Sequence, residues 1–216
     1  ALAAAMLFAV VRFPAAKQAE WISMKQIGAL VRDVTLILIA FFLFFQSAFE
    51  GLINNWTTTY LIERVAAPQE AALMGLSAYV AGMTVMRLLI GSVLRKMAER
   101  QLLYMSFAIT LGALLLFSLS RSVTPAAAGL FLLGSGMAAG FPTMLGIVGN
   151  RYPDLSGTAF SFVLVIALLG NMLVNYSMGI VAGNFGIKHL TTFTFAELAV
   201  LVLIATAIFG RLKSNK

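Results

Sequence analysis

The sequence predicts an all-α integral membrane protein with six transmembrane helices. Composition is the first observation behind this: of 216 residues, 61% are hydrophobic and only 11% are charged. Mean hydropathy is +0.95, whereas a soluble domain is about 45–50% apolar and about 25% charged. The second observation is six apolar runs of roughly 20 residues, enough to cross a hydrocarbon core of about 30 Å. The third is that the charges gather between those runs. Segments this long must be helical, because lipid offers no partner to open backbone groups.

The elements follow in chain order. Ala1 to Val11 is apolar, with no charged lead and no cleavage site, so it reads as the tail of a preceding transmembrane helix rather than a signal peptide. The chain is thus expected to be a fragment. Residues 1–34 hold this stub and a linker. In the linker, Trp21, Met24, Ile27 and Val31 recur at helical spacing, with Lys17, Lys25 and Arg32 on other faces. That pattern predicts a short amphipathic helix on the cytoplasmic membrane surface. The bundle spans 35–210, and breaks of charge, Gly and Pro divide it into 35–61, 71–94, 102–120, 126–149, 156–180 and 190–210. Residues 211–216 form a polar tail.

Lys and Arg set the expected orientation. Arg12, Lys17, Lys25 and Arg32 precede the first span. Arg95, Lys96 and Arg100 follow the second, Arg151 the fourth, and Arg211, Lys213 and Lys216 the sixth. The alternate connections carry Arg64, Arg121 and Lys188. Eleven against three on short loops places both ends of the chain on the cytoplasmic side of the inner membrane. Arg87 lies inside the second span, two turns from Arg95, and is expected to snorkel to the cytoplasmic surface. Glu197 is expected to reach the outer headgroups.

Other function classes recede. The net charge of +7 comes from residues between spans, not from a basic patch interleaved with aromatic groups, so nucleic acid is not an expected partner. There is no Cys and only one His, His189, so neither a disulfide framework nor a metal centre is expected. No Ser-His-Asp set or phosphate-cradling Gly loop appears, which argues against an enzyme and against a cofactor.

Polar residues inside the spans carry the functional reading. Glu50 sits deep in the first span, where a charge costs roughly 2.5–3.5 kcal/mol on the insertion scale. Such an acid must face a bundle interior or a wet cavity, and is a candidate for binding a solute or a proton. Gln46, Glu50 and Asn54 are spaced i, i+4, i+8 and share a face. Asn55 and Trp56 lie beside them. Asn171 and Asn175 repeat the i, i+4 pattern on the fifth span. The two stripes are expected to line one hydrated cleft; interhelical hydrogen bonding is the plain alternative for the asparagines. Gly136-Met-Ala-Ala-Gly140 and Gly179-Ile-Val-Ala-Gly183 are small-xxx-small pairs that favour close helix packing. Pro142 removes a backbone bond and should kink the fourth span.

Several of these segments resemble the C-terminal half of a major facilitator superfamily transporter, and within it the fucose permease group of sugar–proton symporters. Phe45-Gln-Ser-Ala-Phe-Glu50 followed by Trp56-Thr-Thr-Thr-Tyr60-Leu61 is similar to that group's seventh helix. Gly82-Met-Thr-Val-Met-Arg87 through Arg95 resembles the eighth helix and its cytoplasmic loop motif. Gly140-Phe-Pro-Thr143, Arg151-Tyr-Pro-Asp-Leu-Ser-Gly157 and Gly179 to Gly186 resemble the tenth helix, the loop after it and the end of the eleventh. Met86 departs from the usual Gly, and Arg95 and Gly183 from the frequent Asp, of the loop motif. The resemblance implies six helices built as three-plus-three inverted repeats, and a missing N-terminal six-helix half as partner.

On that resemblance the chain is expected to belong to a secondary transporter that moves a small polar solute, a sugar, by alternating access with proton coupling. Trp56 would stack on the sugar. Asn54, Asn55, Asn171 and Asn175 would bond its hydroxyls. Gln46 and Glu50 would complete the site, with Glu50 the proton-coupling candidate. Two rivals stay open: a drug or organic-anion exporter of the same fold, and a non-transporting scaffold or receptor.

Overall fold

The computed structural model describes residue 28 and residues 30–214. The apolar stub and the amphipathic stretch through Trp21, Met24 and Ile27 lie outside them. Every regular element among the described residues is helical. Seven principal helices run α1 Val34–Val65, α2 Gln69–Ser92, α3 Glu99–Leu119, α4 Val123–Met137, α5 Gly140–Arg151, α6 Ser156–Phe185 and α7 His189–Ser214. A single 3₁₀ turn, Leu94–Lys96, joins α2 to α3. With α4 and α5 taken as one broken span, six segments among the described residues are long and apolar enough to cross a membrane.

α1 is the central element. Its Leu36, Ile39, Phe42, Leu43, Phe49, Leu52 and Ile53 are fully buried. It packs most extensively on α6 and also touches α7, α2 and α5. Asp33 caps its start, accepting from the Thr35 backbone N–H at 2.7 Å. A side-chain cap of this kind contributes about 1 kcal/mol. Its far end closes at Ala66, whose left-handed φ of 53° ends the helix, while the Ala67 N–H returns to the Leu61 carbonyl. At 1.5 Å per residue α1 is about 48 Å long, so it must tilt or project beyond a core of about 30 Å.

Backbone-close crossings tie α4 to α2 and to α3. α2 meets α4 where Gly82 faces the Phe131 carbonyl and Gly134 faces the Tyr79 carbonyl. The Ser135 hydroxyl pins the same crossing, within reach of the Gly82 carbonyl at 3.2 Å and the Phe131 carbonyl at 2.9 Å. α3 meets α4 where Gly129 lies against the Phe117 backbone and Gly136 against Thr110. Of the two small-residue pairs in the sequence, only the first makes tight contacts. In the second, Gly179 has ordinary contact with Trp56, and Gly183 has open space beside it.

The fourth span is broken upstream of its proline. α4 ends at Met137, Ala138 and Ala139 form a turn, and Pro142 falls in the first turn of α5. There its missing N–H is tolerated, because the first helical N–H groups have no intrahelical partner in any case. α2 and α6 leave broad apolar faces open, with Met74, Leu88, Leu168 and Met172 all more than 60% exposed.

Candidate functional site

The break in the fourth span positions the acid. Gln46 is only 1% exposed. Its amide nitrogen donates to the Met137 carbonyl at 2.9 Å, in the last turn of α4, where carbonyls lose their helical donors. The same nitrogen donates to Glu50 Oε1 at 3.0 Å. Gly140, the first residue of α5, lies so close to the Gln46 amide that a side chain there would collide with it. Gln46 therefore does not line a cleft, as its shared face with Glu50 predicted. It is a positioning residue, clamped between the helix break and the carboxylate.

Glu50 has an unforeseen neighbour. Arg87 Nη2 stands 3.9 Å from Glu50 Oε2, with side-chain exposures of 46% and 18% respectively. Arg87 does not simply snorkel to the surface; it turns toward the acid of α1. Tyr79, two turns before Arg87 on α2, is fully buried, and its hydroxyl has no partner among the described residues. Hairpin counting was the signal that would have found this pair. From the α1–α2 turn, Glu50 lies about 22 Å and Arg87 about 27 Å into their helices at 1.5 Å per residue.

The asparagines assemble on a neighbouring face. Asn55 donates to Asn175 Oδ1 at 3.0 Å, and Asn175 donates to the Asn171 side-chain oxygen and backbone carbonyl at 2.9 Å each. Gly51 makes the approach feasible, since any side chain there would strike Asn171 and Asn175. Asn54 is exposed and donates to the Glu50 backbone carbonyl at 2.8 Å. Trp56 is half-buried, with its ring beside Gly179 of α6 and its indole N–H unpartnered among the described residues. The predicted stripes thus divide. Gln46 and Glu50 look toward α2 and the break, whereas Gly51 and Asn55 look toward α6.

A second polar joint links α1 to the broken span. Arg151 Nη2 lies 3.4 Å from Asp33 Oδ2, across from the end of α5 to the start of α1. Burial raises the Asp33 carboxyl, but the Tyr152 hydroxyl, the Thr35 N–H and Arg151 outweigh it and hold the group below the usual carboxylate range. Burial and the bond to Asp33 push the Tyr152 phenol up to about 12. Two cavities lie elsewhere. One of about 540 Å³ is lined by Arg100, Ile147, Arg151, Phe209 and Lys213, and one of about 480 Å³ by Tyr60, Arg64 and Ser118 to Arg121; neither includes Glu50. Glu197 does not extend outward as expected of it; it is 5% exposed inside the bundle.

The sequence matches the family profile described as Major Facilitator Superfamily over residues 1–174. No curated protein sequence matches it significantly. Among solved structures, it is similar to FucP in the outward conformation, an MFS transporter, with TM-score 0.78 and 18% identity over 96% of this chain and 51% of that one. The E. coli fucose:proton symporter FucP, as a mutant, aligns with TM-score 0.78 and 17% identity over 96% of this chain and 52% of that one. A peptide transporter POT in complex with alafosfalin aligns with TM-score 0.72 and 15% identity over 86% and 42%. At these identities the likeness shows the fold alone. The chain spans about half the length of the solved structures it matches.

Proposed function

This chain belongs to the Major Facilitator Superfamily, and from that premise we propose that it forms the C-terminal half of a proton-coupled transporter for a small polar solute, a sugar. The protein is an integral, multi-pass membrane protein. Its N-terminal six-helix half is the partner in alternating access, and it works as a carrier rather than as an enzyme. The observation that supports the reading best is Glu50: an intramembrane carboxylate held by Gln46, opposed by Arg87, and left partly open beside Asn54 and Asn55. A charge at such depth is retained where a pathway or ligand uses it. The amides of Asn54, Asn55, Asn171 and Asn175 suit hydroxyl groups. Trp56 offers an apolar ring for a sugar face.

The test is uptake by the complete transporter in proteoliposomes under an imposed proton gradient. Aldohexoses or deoxyhexoses are expected to accumulate, with proton movement that depends on the sugar. Arg87 favours a second reading, an organic anion as cargo, because its guanidinium is almost half exposed. Accumulation of organic anions with no response to any sugar would replace the first reading by the second.

The orientation is part of the proposal. With both chain ends on the cytoplasmic side of the inner membrane, the α1–α2 turn faces outward. A cysteine at exposed Ala66, in a chain with none of its own, is expected to react with an impermeant maleimide in intact cells. A cysteine at exposed Ala98, in the α2–α3 connection, is expected to react only after lysis. The opposite pattern reverses the topology.

A further inference from the structure

Outside the central site, α7 carries a buried acid, Glu197. It lies eight residues into the helix, about 12 Å from its start at 1.5 Å per residue. It shares the buried face formed by Leu190, Thr194, Leu198, Leu201, Ala205 and Ile208. Both carboxyl oxygens are buried, and neither has a hydrogen-bond partner among the described residues. The nearest hydroxyl on its own face is committed elsewhere: Thr194 donates within α7, toward the Leu190 and Thr191 carbonyls.

Nothing on the packed elements supplies a counter-charge. α7 lies against α1, α3 and α6. On α1 the titratable groups are Glu50, Tyr60, Glu63 and Arg64; Glu50 is engaged by Gln46 and Arg87. On α3 they are Glu99, Arg100 and Tyr104. Arg100 sits over the Tyr104 ring, and the Tyr104 hydroxyl bonds Thr206. α6 carries only Tyr176, 70% exposed. On α7 itself are His189, Arg211 and Lys213.

We propose that Glu197 is a second proton-binding site, held as the neutral carboxylic acid by the packing of α7 and separate from Glu50. An isolated carboxylate in an apolar interior is strongly disfavoured by the loss of its hydration, and the group neutralises by taking up a proton instead. The two acids therefore differ in what surrounds them. Glu50 has an amide donor and a nearby guanidinium, whereas Glu197 has neither among the described residues. Divergent surroundings of this kind mark two acids with different protonation roles. The Glu197 proton can leave only when water or a cation reaches the carboxyl. Its release is thereby tied to parting of α7 from α1 and α3. The inference stands on burial and bonding, and does not depend on which solute is carried.

Infrared spectroscopy of the complete protein, with its glutamate carboxyl groups isotopically labelled, tests it directly. At neutral pH the wild type is expected to show a label-shifted C=O stretch of a protonated carboxyl. Glu50→Gln should keep that band and Glu197→Gln should remove it. Thermal unfolding gives a second readout. Glu197→Gln cannot ionise, so its melting temperature should rise relative to wild type as the pH is raised, and the two should converge in mild acid. If the Gln amide prevents folding, Glu197→Met serves in both measurements. Absence of the band from wild type, or its persistence once Glu197 is replaced, overturns the proposal, as does a melting difference that ignores pH.

Discussion

Glu50→Gln is expected to abolish accumulation of substrate against its gradient while leaving exchange of labelled for unlabelled substrate intact. Gln keeps the shape of the side chain and can still bond the Gln46 amide, but it cannot titrate. It also leaves Arg87, 3.9 Å away in the wild type, without its counter-charge. The pair is partly open to solvent, so its loss should weaken folding only modestly. A deficit in coupling, not in yield, is the expected phenotype. If Glu50 instead contacts the solute without carrying the proton, affinity falls by roughly 10- to 100-fold, because a hydrogen bond to a charged group contributes about 1.5–3 kcal/mol. The pH dependence then persists. Counterflow and proton-driven uptake, measured side by side on the complete protein, separate these outcomes. Unchanged affinity with an unchanged pH profile would leave Glu50 as packing alone and remove the main support for the proposed function.

The largest structural effect is expected at the α2–α4 crossing. Gly82→Val or Gly134→Val should prevent assembly of the bundle. Even the first carbon of a side chain would run into the Phe131 carbonyl in one case and the Tyr79 carbonyl in the other. Overpacking against side chains costs typically 1–3 kcal/mol. Here the obstacle is backbone on a neighbouring helix, which cannot change rotamer, so the loss should exceed that range. Gly91→Ala, on the same helix as Gly82 but with open space beside it, is the control. Relieved of a helical glycine, it should be neutral or gain up to about 1 kcal/mol. Thermal stability of the detergent-purified protein distinguishes the sites. Equal behaviour of Gly82→Val and Gly91→Ala would mean that the crossing is not as close as described.

Much of the site was written in residue spacing. Gln46 and Glu50 at i, i+4 meet as the helical period requires, and so do Asn171 and Asn175. Spacing along one helix does not reveal what stands opposite. Sequence spacing sets Arg87 against the nearer membrane surface, because its sequence neighbour Arg95 lies there. Its actual partner is 37 positions away on the adjoining helix. Periodicity makes Gln46 a wall of the cleft, because it gives a face but not the depth of its burial. Glu197 misled for the same reason: counted along its helix from His189 it approaches an end, yet the packing of α7 closes over it.

What the sequence by itself determined is the class of the protein and its linear plan. Apolar runs of membrane length, interrupted by charge, must be helices, because hydrocarbon leaves backbone groups no other partner. That rule acts residue by residue and needs no knowledge of neighbours. The tertiary structure decided the pairing. It set Glu50 against Arg87, fastened Gln46 to the carbonyl of a broken helix, brought Asn55 to Asn175, and enclosed Glu197 with no partner among the described residues. These outcomes depend on which helix faces meet and how closely. Crossings such as Gly82 on Phe131 and Gly51 on Asn171 fix that, through packing forces that hydropathy and periodicity do not encode.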